Sequence, residues 1–521
     1  MDAARLSRLP RPGEGVVGYP SRVHTVDVSF LALGLSKMAD AALSRARQLG
    51  VSHADVRIER IRQATRTFRD RSLDSTNDSE SLGLSVRVVS DGAWGFASGI
   101  TVTPEAAALL AEQAVATARV SRPLVRTPVE LAPEPTYPDA TWVSSYEINP
   151  FDVAEADKQA RMLDLSDRLL RSAGVSHTDA TLWYVQENKF YADLDGTSTT
   201  QQRVRILPGF TAICVDEHGY SSMRTLAPPA GRGWEYLIGT GWDFDAEIAE
   251  LPGHLAGHVQ AESVDAGRYD LVIDPSNLWL TIHESVGHAT ELDRALGYEA
   301  AYAGTSFATV DQLGTLRYGS PVMTVTGDRE TRHGLATIGY DDEGVQAQTF
   351  DIIQDGTLVG YQLNRQMAAA QGLDRSNGCG YADAAGHIPM QRMPNVSLQP
   401  AVGGPSTEEL IAGVDRGIYI VGDKSWSIDM QRYNFQFTGQ RFFKIDNGVI
   451  TGQLRDVAYQ ATTTDFWRSM EAVGNEDTYV LGGAFNCGKG QPGQSAPVSH
   501  GSPSALFRNI NILNTVAEGG Q

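Results

Sequence analysis

Two histidines and a glutamate lie close together in the segment Thr281-Ile282-His283-Glu284-Ser285-Val286-Gly287-His288. Imidazoles that bracket a carboxylate are the ingredients of a hydrolytic zinc site, where the histidines hold the metal and the glutamate accepts a proton from water. The common zinc-peptidase pattern separates its histidines by four residues, whereas His283 and His288 are five apart. At 3.6 residues per turn this offset rotates them roughly 140° apart on a regular α-helix. We therefore predict a π-bulge or break at Gly287 that brings both imidazoles to one face.

A catalytic zinc ion usually has three protein ligands, so a third residue is needed. Cys487 is the best candidate among the three cysteines, because we predict that it lies in a glycine-rich loop, where the backbone can approach closely and Lys489 could favour its thiolate. Cys379, between Gly378 and Gly380, is the rival, and Cys214 stands in an apolar, strand-like run typical of a core. Spacing alone does not separate Cys487 from Cys379.

A repeated pattern organises the N-terminal half. The apolar spacing from Ser36 predicts a helix that stops at Gly50, and the alternation that follows predicts strands. The segment Gly50-Val51-Ser52-His53-Ala54-Asp55 is echoed by Gly174-Val175-Ser176-His177-Thr178-Asp179, again after a helical segment. Two occurrences favour a duplicated helix-plus-hairpin unit.

The metal-binding residues fall in the C-terminal half. A predicted strand at Tyr269–Ile273 precedes a helical stretch from Pro275 to about Leu296. Alternating runs and the turn dipeptides Asp355-Gly356 and Asn447-Gly448 predict many strands beyond it. The expected fold is α+β, with the duplicated N-terminal unit followed by a strand-rich mixed α/β C-terminal domain carrying the metal site. Its predicted parts are an N-terminal extension (1–35, poorly ordered to about residue 29), two α+β units (36–130 and 131–260) and a zinc domain (261–521).

Composition narrows the functional classes. The chain has 521 residues and a formal net charge of -20, which disfavours binding to nucleic acid or to an anionic membrane surface. Three cysteines cannot form a disulfide framework and suit a reducing compartment. The apolar run near residue 30 is too short to span a membrane. We expect a cytoplasmic protein.

From about Met38 to Asn514 the sequence resembles the TldD/PmbA family of modulator-of-DNA-gyrase peptidases. The motifs that carry this resemblance are His283–His288, Asp341-Asp342-Glu343-Gly344-Val345, Asn364-Arg365, Arg392-Met393-Pro394-Asn395, Asn447-Gly448 and Cys487-Gly488-Lys489-Gly490-Gln491. The resemblance implies a Zn²⁺ site made by His283, His288 and Cys487. Glu284, next to His283, is the catalytic base that the residue pattern itself predicts. The resemblance also implies hydrolysis of extended or unfolded peptides, and a dimer with a TldE/PmbA-like sister subunit.

A second hypothesis is a non-catalytic peptide-binding subunit whose metal is structural. A third is a nucleotide-dependent enzyme, because Gly483 to Lys489 mimics a phosphate loop. Gly490 replaces the hydroxyl residue that such a loop needs, and only about 30 residues remain for the rest of the fold.

Two other clusters have simpler interpretations. His254 and His258 have a metal-like spacing, but we predict a packed or solvated helix face. The run Asp341 to Glu343 could bind a second cation, although we predict a solvated acidic turn.

Overall fold

Two copies of a helix followed by a long hairpin build the N-terminal half of the computed structural model, which describes residues 24–217, 219–490 and 492–517. The first copy is α2, β1 and β2, and the second is α4, β5 and β6 in the element list that closes this paragraph. Gly50 and Gly174 both have left-handed φ angles, 78° and 81°, and each lies between the helix and the first strand of its copy. The predicted duplication is confirmed. The elements of this half are α1 (Val28–Leu31), α2 (Leu35–Gln48), β1 (His53–Arg69), β2 (Ser72–Ser90), β3 (Ala93–Gly99), α3 (Pro104–Ser121), β4 (Ala140–Val143), α4 (Glu155–Leu170), β5 (His177–Asp193), β6 (Ser198–Asp216), β7 (Gly219–Arg224) and α5 (Phe244–Val259).

Both copies belong to one sheet with the strand order β3-β2-β1-β5-β6-β4, and β7 pairs with β6. The copies meet where β1 pairs antiparallel with β5, from Asp55 opposite Asp193 to Arg69 opposite Asp179. Helices α2 and α3 cover part of one face with small residues such as Ala42 and Ala114. The residue boundaries of the two units stay a prediction, since one sheet spans both.

The residues before α2 are packed onto this sheet from residue 24 onward. Val26 and Phe30 are buried, and Asp27 forms an ion pair of 2.9 Å with Arg60. The prediction of a poorly ordered extension is therefore wrong for residues 24–29. Its first 23 residues lie outside the described part of the chain.

A closed ring of strands forms the centre of the C-terminal half. Strand β16 pairs with both β9 and β17, so β16, β9, β23, β19 and β17 surround a core that includes Phe437 and Tyr459. The dipeptides Asp355-Gly356 and Asn447-Gly448 have left-handed φ angles and join adjacent strands, as predicted. The strand-rich C-terminal half is also confirmed. Its elements are β8 (Glu262–Ser263), β9 (Gly267–Ile273), α6 (Pro275–Ile282), α7 (Leu292–Ala295), β10 (Val325–Asp328), β11 (Thr349–Gln354), β12 (Thr357–Leu358), α8 (Arg365–Ala370), β13 (Gly380–Tyr381), β14 (Met390–Gln391), β15 (Asn395–Leu398), α9 (Thr407–Ala412), β16 (Arg416–Ile428), β17 (Asn434–Asp446), β18 (Val449–Arg455), β19 (Val457–Thr462), α10 (Thr463–Arg468), β20 (Met470–Val473), β21 (Val480–Lys489), β22 (Gln494–Ser502) and β23 (Ala505–Asn514).

The described part of this half has three further sheets of two to four strands, and one of them is the hairpin of β21 and β22. Among the described residues, no helix is long and apolar enough to cross a membrane.

The acidic run at 341–343 lies in the interface between the N-terminal sheet and the C-terminal half. Its three carboxylates are at most 5% exposed, so the prediction of a solvated turn is wrong. Asp341 accepts the backbone N–H groups of Glu343, Val345 and Gly380, at 2.8 to 2.9 Å. Burial, with a smaller contribution from Glu343, raises the pKa of Asp341 to about 7. The run is thus part of the protein interior, where the Asp341 carboxylate accepts hydrogen bonds from the backbone.

Lys189 on β5 connects this acidic run to two carboxylates of the N-terminal sheet. Its Nζ lies 2.8 Å from Asp342, 3.0 Å from Glu59 and 3.6 Å from Glu187. The ammonium group also donates to the carbonyl of Ala382. One buried cation therefore holds carboxylates from both halves of the chain.

Replacing Lys189 with methionine is expected to lower the free energy of unfolding by about 3 to 5 kcal/mol, because it leaves buried carboxylates without their cation. Urea unfolding followed by tryptophan fluorescence measures this change. Lys37→Met, at an exposed position of α2, is the matched control and should change stability by less than about 0.5 kcal/mol. Equal stability of the two variants would contradict the structural role of Lys189.

Candidate metal centre

The helix that carries both histidines begins as an ordinary α-helix and then widens. The carboxylate of Asp274 accepts the backbone N–H of Ser276 at 2.9 Å, and Pro275 occupies the first helical position. After α6 ends at Ile282, residues His283–Gly287 form a π-helix. Within it the backbone N–H of His288 donates to the carbonyl of His283, five residues earlier. The predicted π-bulge is confirmed.

Side chains from elsewhere satisfy the carbonyl groups that the widened turn leaves free. Tyr318 donates its hydroxyl to the carbonyl of Ser285, and Gln362 donates its amide to that of Gly287 at 2.5 Å. A side chain at Gly287 would meet buried Met393, because an added Cβ would lie 2.6 Å from the Met393 sulfur. Hydrogen bonds and close packing from the surrounding residues thus stabilise the π-helix.

The π-helix brings His283 and His288 together with Cys487. One ligand atom from each residue lies within 4.8 Å of the other two, and all three side chains are buried. The Cys487 Sγ atom lies 3.5 Å from Nε2 of His288. Cys487 is on strand β21, beside a bulge after Ala484, and the expected glycine-rich loop is wrong there.

The other cysteines lie elsewhere. Cys379 is fully buried, with its sulfur 3.9 Å from the carbonyl of Asn377. Cys214 packs in the core of the N-terminal sheet, as predicted. The second histidine pair lies on α5, where His254 packs against Phe443. Of the described cysteines, only Cys487 therefore lies beside the two histidines.

Hydrogen bonds behind the imidazoles fix which nitrogens face the cluster. His500 Nδ1 donates to the carbonyl of Val396 at 2.9 Å, so its Nε2 accepts from His283 Nδ1 at 2.7 Å. His288 Nδ1 donates to Glu291 at 3.0 Å. Both Nε2 atoms therefore carry a free lone pair, as metal-binding histidines need.

Sequence reasoning missed the two residues that orient these imidazoles. Glu291 follows His288 by three residues, and that spacing could have identified it. His500 comes 217 residues after His283, and no local pattern marks it.

Lys489 does not have the role that its position suggested. Its Nζ pairs with Glu291 at 3.1 Å and with Asp293 at 2.8 Å. Burial raises the pKa of the Cys487 thiol to about 11, an effect that nearby Arg392 partly offsets. Cation binding would therefore have to release the thiol proton, which is the usual coupling at a metal site.

The donor set fits a zinc ion. Two imidazoles and one thiolate match the N and S ligands that zinc prefers, and three protein ligands leave a fourth position for water or substrate. Burial lowers the pKa of His283 well below its ordinary value and that of His288 to about 3. The imidazoles are thus neutral and able to bind a metal at physiological pH.

Glu284 lies on the same π-helix, outside the three-residue cluster. Its Oε2 atom accepts a hydrogen bond of 2.6 Å from Nη1 of Arg432. Burial raises the pKa of the Glu284 carboxyl, and the charge of Arg432 opposes that rise. The carboxylate is consequently buried next to the cluster and held by a cation.

Replacing His500 with phenylalanine is expected to weaken zinc binding about 10- to 100-fold, because His283 Nδ1 loses the acceptor that orients its ring. Competition with a chromophoric chelator measures the affinity. His254→Phe is the matched control, since His254 is a half-buried histidine on α5 that packs against an aromatic ring. An unchanged affinity in His500→Phe would show that this hydrogen bond does not support the ligand.

Two family models and several curated proteins match this chain. The family model described as PmbA/TldA metallopeptidase C-terminal domain matches residues 266–514, and the one described as PmbA/TldA metallopeptidase domain 1 matches residues 54–118. A metalloprotease of Methanothermobacter thermautotrophicus is 28% identical over 89% of this chain and 96% of its own length. A zinc metalloprotease TldD homolog of Saccharolobus solfataricus is 23% identical over 90% of this chain and 98% of its own.

Solved structures show the same fold. A Thermotoga maritima protein superposes with a TM-score of 0.74 at 16% identity, covering 92% of this chain and all of that one. TldE from Thermococcus kodakarensis has a TM-score of 0.69 at 14% identity, covering 90% and 98%. The fold, the matched domains and the named relatives define a metallopeptidase. The chain belongs to the PmbA/TldD family, whose two domain models together match more than half of it.

Proposed function

We propose that this metallopeptidase depends on zinc, which His283, His288 and Cys487 hold, and that Glu284 is its general base. The convergence of these three buried donors beside Glu284 is the observation that carries the proposal. The relative named as a zinc metalloprotease supports the choice of metal.

When bound, a zinc ion supplies Lewis acidity and lowers the pKa of water to about 7. Glu284 takes a proton from the attacking water and later gives it to the leaving amine, so that hydrolysis of the peptide bond consumes one water molecule. The raised pKa of its buried carboxyl suits this task, because a stronger base accepts a proton more readily. Hydrogen bonds to His500 and Glu291 keep the two imidazole rings in a fixed orientation throughout the reaction.

The substrate is proposed to be an extended or unfolded peptide, and the working form a dimer with a TldE/PmbA-like sister subunit. The shared fold of TldE supports this partnership, since two chains of one fold can pair about a pseudo-twofold axis. Three free, buried cysteines suit the reducing cytoplasm that we propose as its location.

Elemental analysis of the purified protein, with cleavage of an unstructured peptide, tests the proposal. We expect close to one zinc ion per chain, cleavage that a chelator stops, and recovery when zinc is added back. The assay is run with and without a candidate sister subunit, so that it also tests the partnership. Protein without metal that cleaves nothing in either case would favour the non-catalytic peptide-binding subunit.

A further inference from the structure

Arg432 stands in an unusual backbone conformation next to the proposed catalytic base. Its φ angle is 63°, in the left-handed region that side-chain-bearing residues rarely adopt. It belongs to the turn between β16 and β17, where Asp429 accepts the backbone N–H groups of Gln431, Tyr433 and Asn434. The hydroxyl of Thr463 donates to the Arg432 carbonyl at 2.7 Å. The surrounding contacts thus hold the strained residue in place, which is typical of functional sites.

The guanidinium group of Arg432 is only partly used. A guanidinium carries five N–H groups. Among the described residues, only Nη1 has a hydrogen-bond acceptor, the Glu284 carboxylate at 2.6 Å, and Nε is buried without any acceptor. A buried donor without a partner is costly, so the remaining N–H groups favour an acceptor that arrives with a ligand.

We propose that Arg432 is a second catalytic residue, which donates a hydrogen bond to the carbonyl oxygen of the scissile peptide bond as that oxygen becomes negatively charged. This inference rests on the proposed function of Glu284 and of the three-ligand cluster.

The reaction balances without another reactant. Water oxygen bonds to the carbonyl carbon, Glu284 takes one water proton, and the carbonyl π electrons move onto the oxygen that Arg432 faces. The C–N bond then breaks as the oxygen re-forms its double bond, and the amine receives the proton from Glu284. Arg432 keeps its own protons throughout, because a guanidinium group is not deprotonated in proteins. A cation that is already fixed next to the oxygen on which negative charge develops stabilises the transition state strongly.

Replacing Arg432 with methionine is expected to lower kcat about 10²- to 10³-fold for an unstructured peptide, while KM changes much less. Affinity for a phosphinic peptide, whose tetrahedral anionic centre mimics the charged intermediate, should fall by a similar factor in calorimetry. Arg432→Lys should retain part of both properties, and zinc content should stay unchanged. Arg441→Met is the matched control, because Arg441 is a buried arginine on β17 that also has unpartnered N–H groups.

Arg432 could instead act only by positioning Glu284, and a double-mutant comparison separates the two roles. Phosphinic-peptide affinity is measured for Glu284→Gln with and without Arg432→Met. A loss of affinity that persists in the Glu284→Gln background supports direct contact with the oxyanion. No loss in that background would overturn the inference, leaving Arg432 as a positioning residue. Zinc-loaded wild type that neither cleaves the peptide nor binds the phosphinate would instead overturn the proposed function itself.

Discussion

Replacing Glu284 with glutamine is expected to lower kcat for peptide hydrolysis by about 10²- to 10⁴-fold while zinc remains bound. Glutamine has nearly the same shape but cannot accept a proton from water. Its amide oxygen can still accept the hydrogen bond of Arg432, so the local packing should persist. The metal should stay because Glu284 is outside the cluster of His283, His288 and Cys487. Steady-state kinetics and elemental analysis on the same preparation measure both properties.

Glu247→Gln is a suitable control for this prediction. Glu247 is a half-buried glutamate of α5 whose carboxylate accepts hydrogen bonds from the Leu226 backbone and the Trp242 indole. Burial raises its carboxyl pKa too, yet it is outside the metal cluster. Its replacement should leave kcat unchanged. Zinc loss in Glu284→Gln, or a turnover like that of wild type, would contradict the role of Glu284 as base.

Local signals were sufficient to predict the duplicated N-terminal unit and the distorted metal-binding helix. The chain passes from helix to strand through Gly50 in one copy and Gly174 in the other, and both have the left-handed φ angle that glycine adopts freely. This preference belongs to the glycine itself and can be recognised in the sequence. The π-helix at His283–Gly287 followed from the five-residue spacing of its histidines. In both cases the cause lies within a few residues of its effect.

The environment of the acidic run at 341–343 could not be predicted in this way. Acidic residues in a glycine-containing turn are usually solvated, and the sequence pattern favoured that interpretation. Asp342 is buried because Lys189, 153 residues earlier, projects from the N-terminal sheet to meet it. A contact between distant parts of the chain therefore overrode the local preference.

Glycines around Cys487 misled the prediction of a loop for a similar reason. The segment forms strand β21, paired with β22, and the close approach that glycine permits is used for packing. A side chain at Gly490, for instance, would overlap the ring of Tyr302. Glycine signals a close contact here, and only the tertiary structure shows with what.

Replacing Cys487 with serine is expected to weaken zinc binding more than about 100-fold, beyond what loss of a supporting hydrogen bond costs. A serine hydroxyl does not ionise near neutral pH, and its oxygen is a harder ligand than the thiolate that zinc accepts well. Competition with a chromophoric chelator measures the affinity, and elemental analysis measures the metal content.

Cys379→Ser is the control that the chain itself offers, because Cys379 is the rival thiol and is equally buried. Its sulfur lies near the carbonyl of Asn377 and belongs to no metal cluster among the described residues. Serine there should keep zinc affinity within about threefold and cost about 1 to 3 kcal/mol of stability at most, since a buried hydroxyl must find a partner. Equal loss of zinc in both variants would mean that global stability governs metal retention. A loss confined to Cys487→Ser would identify the thiolate as a ligand, because both thiols are buried but only that of Cys487 lies beside His288.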